Sequence, residues 1–464
     1  MTDTHAGLMP GHIDHLRQAS AGVVITPGDD AYDDARRVWN ARFDRRPALL
    51  VRPTGAQDIA TAIRFGREHD LEIAVRSGAH SNAGHSTTDS GIVIDLSRLR
   101  GVTVDPERRT ARANGGALLG ELDTAAQAHG LVCPVGVIGH TGVGGLTLGG
   151  GVGRLQRHFG LTIDNLRAVE LVTADGRFVR ASESEEPELF WGIRGAGPNF
   201  GIVTAFEFGL HPFGPLLHRG TRIYPATQVH EVWRMLRDYA EVAPDAVSLI
   251  VAIARAEPPA DYPESVAGKP ILVIGYNHSG DASTVERDLA PLRSGPEPVV
   301  STDVSQPYLE VQTANDLVMG WGHRSFIKGI FANDVRPEAL DALVEHVARG
   351  PDGSSFGITV QGGAIGRVPE DATAFTGREA RFDLSADTGW DDPADDDANW
   401  DWLQQALAIV EPDAVTGRYC NESSESGPDV SRAIYGDAKY ARLQALKRAW
   451  DPDNVFHLNY NIAP

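Results

Sequence analysis

Residues 136–153 read GVIGHTGVGGLTLGGGVG, and nine of these eighteen residues are glycine. Ordering so glycine-dense a stretch carries a large backbone entropy cost. What repays it is close approach of the main chain to another group, commonly a phosphate cradled by N–H groups. A flexible linker would lack the interleaved apolar anchors Val143, Leu146, Leu148 and Val152. The stretch therefore reads as a packed ligand-binding segment. It is not a dinucleotide fingerprint, because no Gly-x-Gly-x-x-Gly follows a strand and opens a helix here, and no Walker A sequence occurs. Gly195-Ala-Gly-Pro-Asn-Phe comes within one residue of the fingerprint but carries Pro198.

A second turn-rich element, Arg76-Ser-Gly-Ala-His-Ser-Asn-Ala-Gly84, follows a clean strand. A strand running into such a turn aims successive N–H groups at one point and forms an anion nest. His80 sits inside it, which favours a role at the ligand over an incidental one.

Charge narrows the partners. Lys plus Arg number 42 against 63 Asp plus Glu, a formal charge of −21. That balance disfavours nucleic acid, which needs Lys and Arg to displace counterions, and disfavours an anionic membrane surface. The N-terminus lacks a basic segment followed by an apolar one, and no apolar run reaches the length of a membrane helix, so a cytoplasmic protein is expected. Two cysteines, Cys133 and Cys420, exclude a disulfide scaffold. The histidines are scattered, with no His-Glu-x-x-His or Cys-x-x-Cys, so no metal site is expected; no Gly-x-Ser-x-Gly elbow supports a serine hydrolase.

The first half of the 464 residues alternates strands and helices. Strands are expected at 47–52, 71–75 and 91–97, with a helix over 56–69 whose Ile59, Ile63 and Phe65 recur at near-helical spacing. A hairpin is expected across Pro106-Glu107, a helix over 117–129 closed by Gly130, a strand pair within 163–183 turning at Asp175-Gly176, and a strand from Val203 to Leu210. Further along, 221–255, 269–277 and 324–334 read as strands, with helices near 227–241, 336–349 and 397–410. This pattern suggests an α+β layer with one sheet face covered. The acidic run at 391–397 reads as a solvated helix-entry loop, and 436–450 as an amphipathic helix.

Taken in order, Arg76–Gly84, Gly91–Leu96, His140–Gly153, Leu189–Gly201, Tyr419-Cys-Asn421 and the ending from Asp451 to Ile462 resemble the berberine-bridge-enzyme-like branch of the vanillyl-alcohol-oxidase flavoprotein family. The resemblance runs along nearly the whole chain. It implies an α+β, two-domain PCMH-type FAD-binding fold: residues 1–212 and 416–464 forming the FAD domain, and 213–415 an antiparallel substrate domain backed by helices. It implies FAD bonded through its 8α-methyl carbon to His80. It places FAD contacts at Arg76, Ser77, Gly78, Ala79, His80 and Ser81; at Cys133, Gly136, Val137, Gly139, His140, Thr141, Gly142, Gly144, Gly145 and Gly150; at Gly201, Ile202 and Val203; and at Asn459, Tyr460 and Asn461.

Some members add a second bond from a cysteine to flavin C6. Here Cys133-Pro-Val-Gly-Val-Ile-Gly-His140 is one residue shorter than their pattern, which leaves Cys133 open between a second linkage and a buried free thiol. The turn departs from the family at Ala79, where a glycine is usual, and at Asn82, where an aromatic is usual. Ala79 would be strained if its φ is positive. Asn82 points to a larger or more polar substrate space.

Relatives remove a substrate proton with an acid on the strand before Gly362-Gly363 or on its neighbour. Thr359 and Gln361 stand at the first place and are poor bases. On the neighbour, Asp383, Ser385 and Asp387 share a face by the two-residue period, with that face open between flavin and solvent. Tyr419 is the stronger expectation for the base, given a lowered pKa, with Asn421 holding substrate or flavin by hydrogen bonds. Val135 or Val137 would occupy the place that controls access of O2. The expected activity is an oxidase passing hydride from a small organic metabolite, in bacterial secondary metabolism, to FAD and then to O2, as a monomer or homodimer. A flavin-oxygenating monooxygenase and a cyclase with structural FAD remain the alternatives.

Overall fold

The computed structural model describes residues 8–257 and 262–464. Near the N-terminus, Val23–Ile25, Leu49–Arg52, Ile92–Asp95 and Ile73–Arg76 lie side by side in that order. The last three are parallel neighbours. Their continuous apolar runs suit strands covered on both faces. Leu49, Val51, Ile92 and Ile94 pack with Ile59 and Ile63 from the helix Ala56–Glu68.

A second sheet is antiparallel, in the order Val102–Asp105, Thr110–Asn114, Ile202–Gly209, Leu166–Val172, Phe178–Ser182. Both expected hairpins are present, and Gly176 takes the positive φ of 82° that the second turn requires.

The third sheet has seven antiparallel strands, in the order Val300–Pro307, Leu216–Pro225, Pro270–His278, Val247–Arg255, Ser355–Val360, Phe382–Trp390, Arg324–Ala332. Helices Val229–Val242, Pro337–Ala348 and Asp396–Val410 bury their apolar stripes on it through Trp233, Leu236, Leu340, Leu343, Leu403 and Leu407. The chain then returns to the N-terminal half. The segment Pro428–Trp450 packs on the helix Pro187–Ala196. Isolated bridges Lys328↔Ser423 and Ala332↔Ala414 tie the returning segment to the edge strand of the large sheet.

Three local features add to or change the expectations. The expected C-terminal helix over 436–450 is present, and a further helical stretch from Pro428 precedes it across a break where Gly436 has φ of 69°. The acidic run is not wholly solvated: the helix Asp396–Val410 starts within it, and Asp396 grips Arg324 and accepts from Trp390 Nε1 at 2.8 Å. The edge strand Val300–Pro307 is unforeseen, because it is almost entirely exposed and lacks an apolar alternation. No helix among the described residues is long and apolar enough to cross a membrane.

The returning segment is locked by one buried ion pair. Lys447 Nζ donates to Asp451 Oδ2 at 2.7 Å, Phe456 O at 2.8 Å and Asn199 O at 2.9 Å, and both charged side chains are wholly buried. Removing one partner of such a pair strands the other in low dielectric. Lys447→Met is expected to destabilise the protein by about 3–5 kcal/mol, read from the urea midpoint; an unchanged midpoint would contradict this.

Candidate active site

A cavity of about 430 Å³ opens between these layers. One wall is the turn after the strand Ile73–Arg76, one the glycine-rich stretch, and one the residues around Gly195–Val203. The returning segment contributes Tyr419–Glu422 and Phe456–Tyr460, and the large sheet contributes Ser325, Ile327 and Asp387.

Two glycines set its shape. A Cβ on Gly78 would lie 2.2 Å from Gly142 N, and one on Gly142 would lie 2.3 Å from Gly78 N. The two turns thus touch main chain to main chain, which any side chain would prevent. Gly142 caps a short helix, Val143–Gly149, inside the glycine-rich stretch. Ala79 has φ of 60°, so the strain that its Cβ threatened is present, at a cost of about 1 kcal/mol.

His80 lies in this wall, stacked on Trp39 with ring centroids 4.9 Å apart. Its Nε2 is 2.7 Å from His140 Nδ1, and His140 Nε2 is 3.2 Å from Asp316 O. Burial, with His140 beside it, lowers the His80 pKa to about 3, so the ring is neutral at physiological pH.

Of the expected FAD contacts, Ser77, Gly78, Ala79, His80, Ser81, Gly136, Val137, Thr141, Gly142, Gly144, Gly145, Gly201, Ile202, Val203, Asn459 and Tyr460 line the cavity. Others do not. Arg76 is buried behind the turn, donating to Asp95 at 2.5 Å and Arg37 O at 3.0 Å, so it braces the strand ends. Cys133 is fully buried in the core with Leu119, Val135 and Phe206, and burial pushes its thiol well up. Gly139 donates to Asp316 Oδ1 at 2.6 Å. His140 acts through His80, while Gly150 and Asn461 stay off the wall.

The catalytic expectations divide in the same way. Thr359 is off the cavity, and Gln361 is buried with its carbonyl taken by Arg157. Tyr419 and Asn421 line it: Tyr419 Oη accepts from Asn421 Nδ2 at 3.0 Å and from Val152 N at 3.2 Å. Burial outweighs these donors and raises the Tyr419 pKa, the reverse of what a phenolate base needs. Asn421 also donates to Leu146 O at 3.1 Å, so its amide is spent on holding walls together. Asn82 lines the cavity and donates to Asn421 O at 2.9 Å.

On the strand Phe382–Trp390, Asp387 reaches the cavity, whereas Asp383 sits behind it at 3 % exposure. Sequence reasoning passed over Glu422, which lines the cavity one residue beyond Asn421. Burial raises all three carboxyls, with Glu422 adding to Asp383 and Asp387 adding to Glu422; Asp387 reaches about 6.

The residues fit FAD. The amides of Gly78, Ala79, His80 and Ser81 donate to no carbonyl among the described residues, leaving a run of donors at the wall. Buried His85 Nε2, Ser86 Oγ and Asn459 Oδ1 also line the cavity without a partner. A Cβ on Gly145 would meet nothing within 4 Å, so this wall is open to a ligand.

Comparison with known proteins agrees. The FAD binding domain model matches residues 47–182, and the berberine and berberine-like model matches 418–463. The (R)-6-hydroxynicotine oxidase of Paenarthrobacter nicotinovorans is 31% identical over 458 residues, covering 96% of this chain and 97% of that protein. The chain belongs to the berberine-bridge-enzyme-like family. It is an FAD-linked oxidoreductase with the two-domain fold of that family. The crystal structure of 6-hydroxy-D-nicotine oxidase from Arthrobacter nicotinovorans superposes with a TM-score of 0.84 at 28% identity, over 96% of this chain and 98% of that one. Glucooligosaccharide oxidase from Acremonium strictum, described as carrying a 6-S-cysteinyl, 8α-N1-histidyl FAD, gives 0.86 at 22% identity, over 98% and 99%.

Two outcomes follow for this berberine-bridge-enzyme-like chain. Ala79→Gly relieves the left-handed strain and is expected to stabilise by a few tenths to about 1 kcal/mol, raising the urea midpoint; a fall would contradict this. Asp387 holds its proton up to about pH 6 when folded but loses it near 3.8, the ordinary aspartate value, when unfolded. Its contribution therefore falls as pH rises through that interval and is flat above it. Asp387→Asn is expected to remove that slope, so the variant gains on wild type between the two pH values; a constant difference in urea midpoint would contradict it.

Proposed function

We propose that this chain carries FAD covalently on His80 and oxidises a small organic molecule, with O2 as the final electron acceptor. The observation that carries the reading is His80 itself: neutral, at the cavity wall, with Nε2 engaged by His140 and Nδ1 without a partner among the described residues. A neutral imidazole keeps the lone pair that bonding to carbon requires. His140, steadied by the Asp316 carbonyl, selects which nitrogen stays available. Trp39 fixes the ring plane.

Cys133 supports a single linkage, since its thiol faces the core. Bound FAD supplies a two-electron acceptor for hydride from a substrate carbon. The protein's part is to exclude water with Ile327, Met319 and Trp39 and to present carboxyls at the sheet end. Val137 lines the cavity and Val135 lies in the core, so Val137 is the side chain placed to set O2 access. The named activity of the nicotine oxidase relative favours the same reaction type.

The test is acid precipitation. Wild type is expected to stay yellow, Cys133→Ser to match it, and His80→Ala to release its flavin to the supernatant. Anaerobic reduction followed by air is expected to restore the colour with one peroxide per flavin. Colour retained in His80→Ala, or reoxidation without peroxide, would contradict the proposal.

A further inference from the structure

The ionisable groups around the cavity are one-sided. Among the described residues no lysine or arginine lines it, and its only carboxyls are Asp387 and Glu422, at the end formed by the large sheet and the turn Cys420–Glu422. Asp383 backs them. A Cβ on Gly329 would lie 3.3 Å from Asp383 Oδ1 and 3.5 Å from Glu422 Oε2, so the two oxygens converge on one spot. Asp383 is 97% buried by its 3 % exposure, and its Oδ1 has no donor.

Neighbouring cations are spent elsewhere. Lys328, on the adjoining strand, pairs with Glu425 at 2.9 Å and donates to Gln404 at 3.0 Å; Arg324 is held by Asp396. None of the three acids forms an ion pair among the described residues. Tyr419 and Cys420 beside them are held neutral by burial.

Buried carboxyls without a cation are costly when ionised. An anionic ligand would add to that cost, and a neutral one would leave it in place. A cation held between Asp387 and Glu422 offsets it. The apolar side chains Ile327, Met319 and Trp39 nearby suit a hydrocarbon frame.

We infer that the substrate is a primary or secondary amine, bound as its ammonium ion by Glu422 and Asp387, with Asp383 as a positioning residue behind them. This rests on the FAD-oxidase reading above and names its substrate class. The oxidation balances. A carboxylate takes one N–H proton and frees the nitrogen lone pair. The C–H bond beside nitrogen then breaks, its hydrogen and electron pair leave to bound FAD, and the lone pair closes a C=N bond. The product is an iminium ion, which water hydrolyses to a carbonyl compound and an ammonium ion.

The test is calorimetric binding to the flavin-loaded protein of three probes: N-methylbenzylamine, its neutral counterpart benzyl methyl ether, and phenylacetate. The amine is expected to bind about tenfold or more tightly than the ether, with phenylacetate weakest. In Glu422→Gln/Asp387→Asn the preference for the amine is expected to vanish while the ether is unaffected. Equal or tighter binding of the ether or phenylacetate to wild type, or no binding of the amine up to millimolar concentration, overturns the inference. So does a preference that survives in the folded variant. The wild-type ranking decides the matter even if the variant does not fold. Flavin absorbance of the same sample separates the two readings: a yellow protein that ignores the amine loses only the substrate class, whereas a protein without flavin loses the oxidase reading as well.

Discussion

The contact between Gly78 and Gly142 is the constraint on which the rest of the site depends. It brings the turn after the strand Ile73–Arg76 against the start of the helix Val143–Gly149 with no side chain between them. That contact sets His80 opposite His140 and points the free amides of residues 78–81 at one wall. Arg76 and Asp95 serve the same end from behind. Burial alone would raise Asp95, but Arg76 and Arg52 outweigh it and keep the carboxylate charged, so the ends of two parallel strands are pinned just where the turn begins. Ala79 tolerates a left-handed backbone because the surrounding contacts leave it no alternative.

The two ends of the cavity have opposite character. At the glycine end, neutral donors and apolar side chains suit a large aromatic cofactor with a phosphate-bearing tail. At the sheet end, three carboxyls are held without cations among the described residues, and burial raises all of them, an arrangement that favours a functional role. The two ends come from distant parts of the chain, and the returning segment joins them. Tyr419 and Asn421 tie the glycine stretch to that segment, and Lys447 anchors it below. The large sheet is thereby held against the layers that form the glycine end of the cavity.

Much of this was legible in the sequence. Helices such as Ala56–Glu68 and Pro337–Ala348 carry periodic apolar stripes and lie where the pattern put them. The turn around His80 and the glycine stretch announced themselves by composition. What could not be read was which side of a wall each residue faces. Arg76 and Cys133 sit one turn from the cavity but point into the body of the protein. The two-residue period grouped Asp383 with Asp387 correctly, yet strand twist and depth leave only Asp387 at the surface of the cavity. Glu422 had a readable signal, a carboxyl directly after the Tyr-x-Asn motif, but the acids beside it lie on one strand, Phe382–Trp390, well back in the chain. Tyr419 lines the cavity, but its burial, which raises the phenol where a base needs it lowered, is invisible to a motif.

The most direct measurement is a crystal structure of the flavin-loaded protein. The account predicts FAD filling the cavity between residues 77–82 and 136–149, with continuous density from the flavin ring into the His80 imidazole and none into Cys133. Flavin lying elsewhere, or a clear gap at His80 with density joined to another residue, would contradict it.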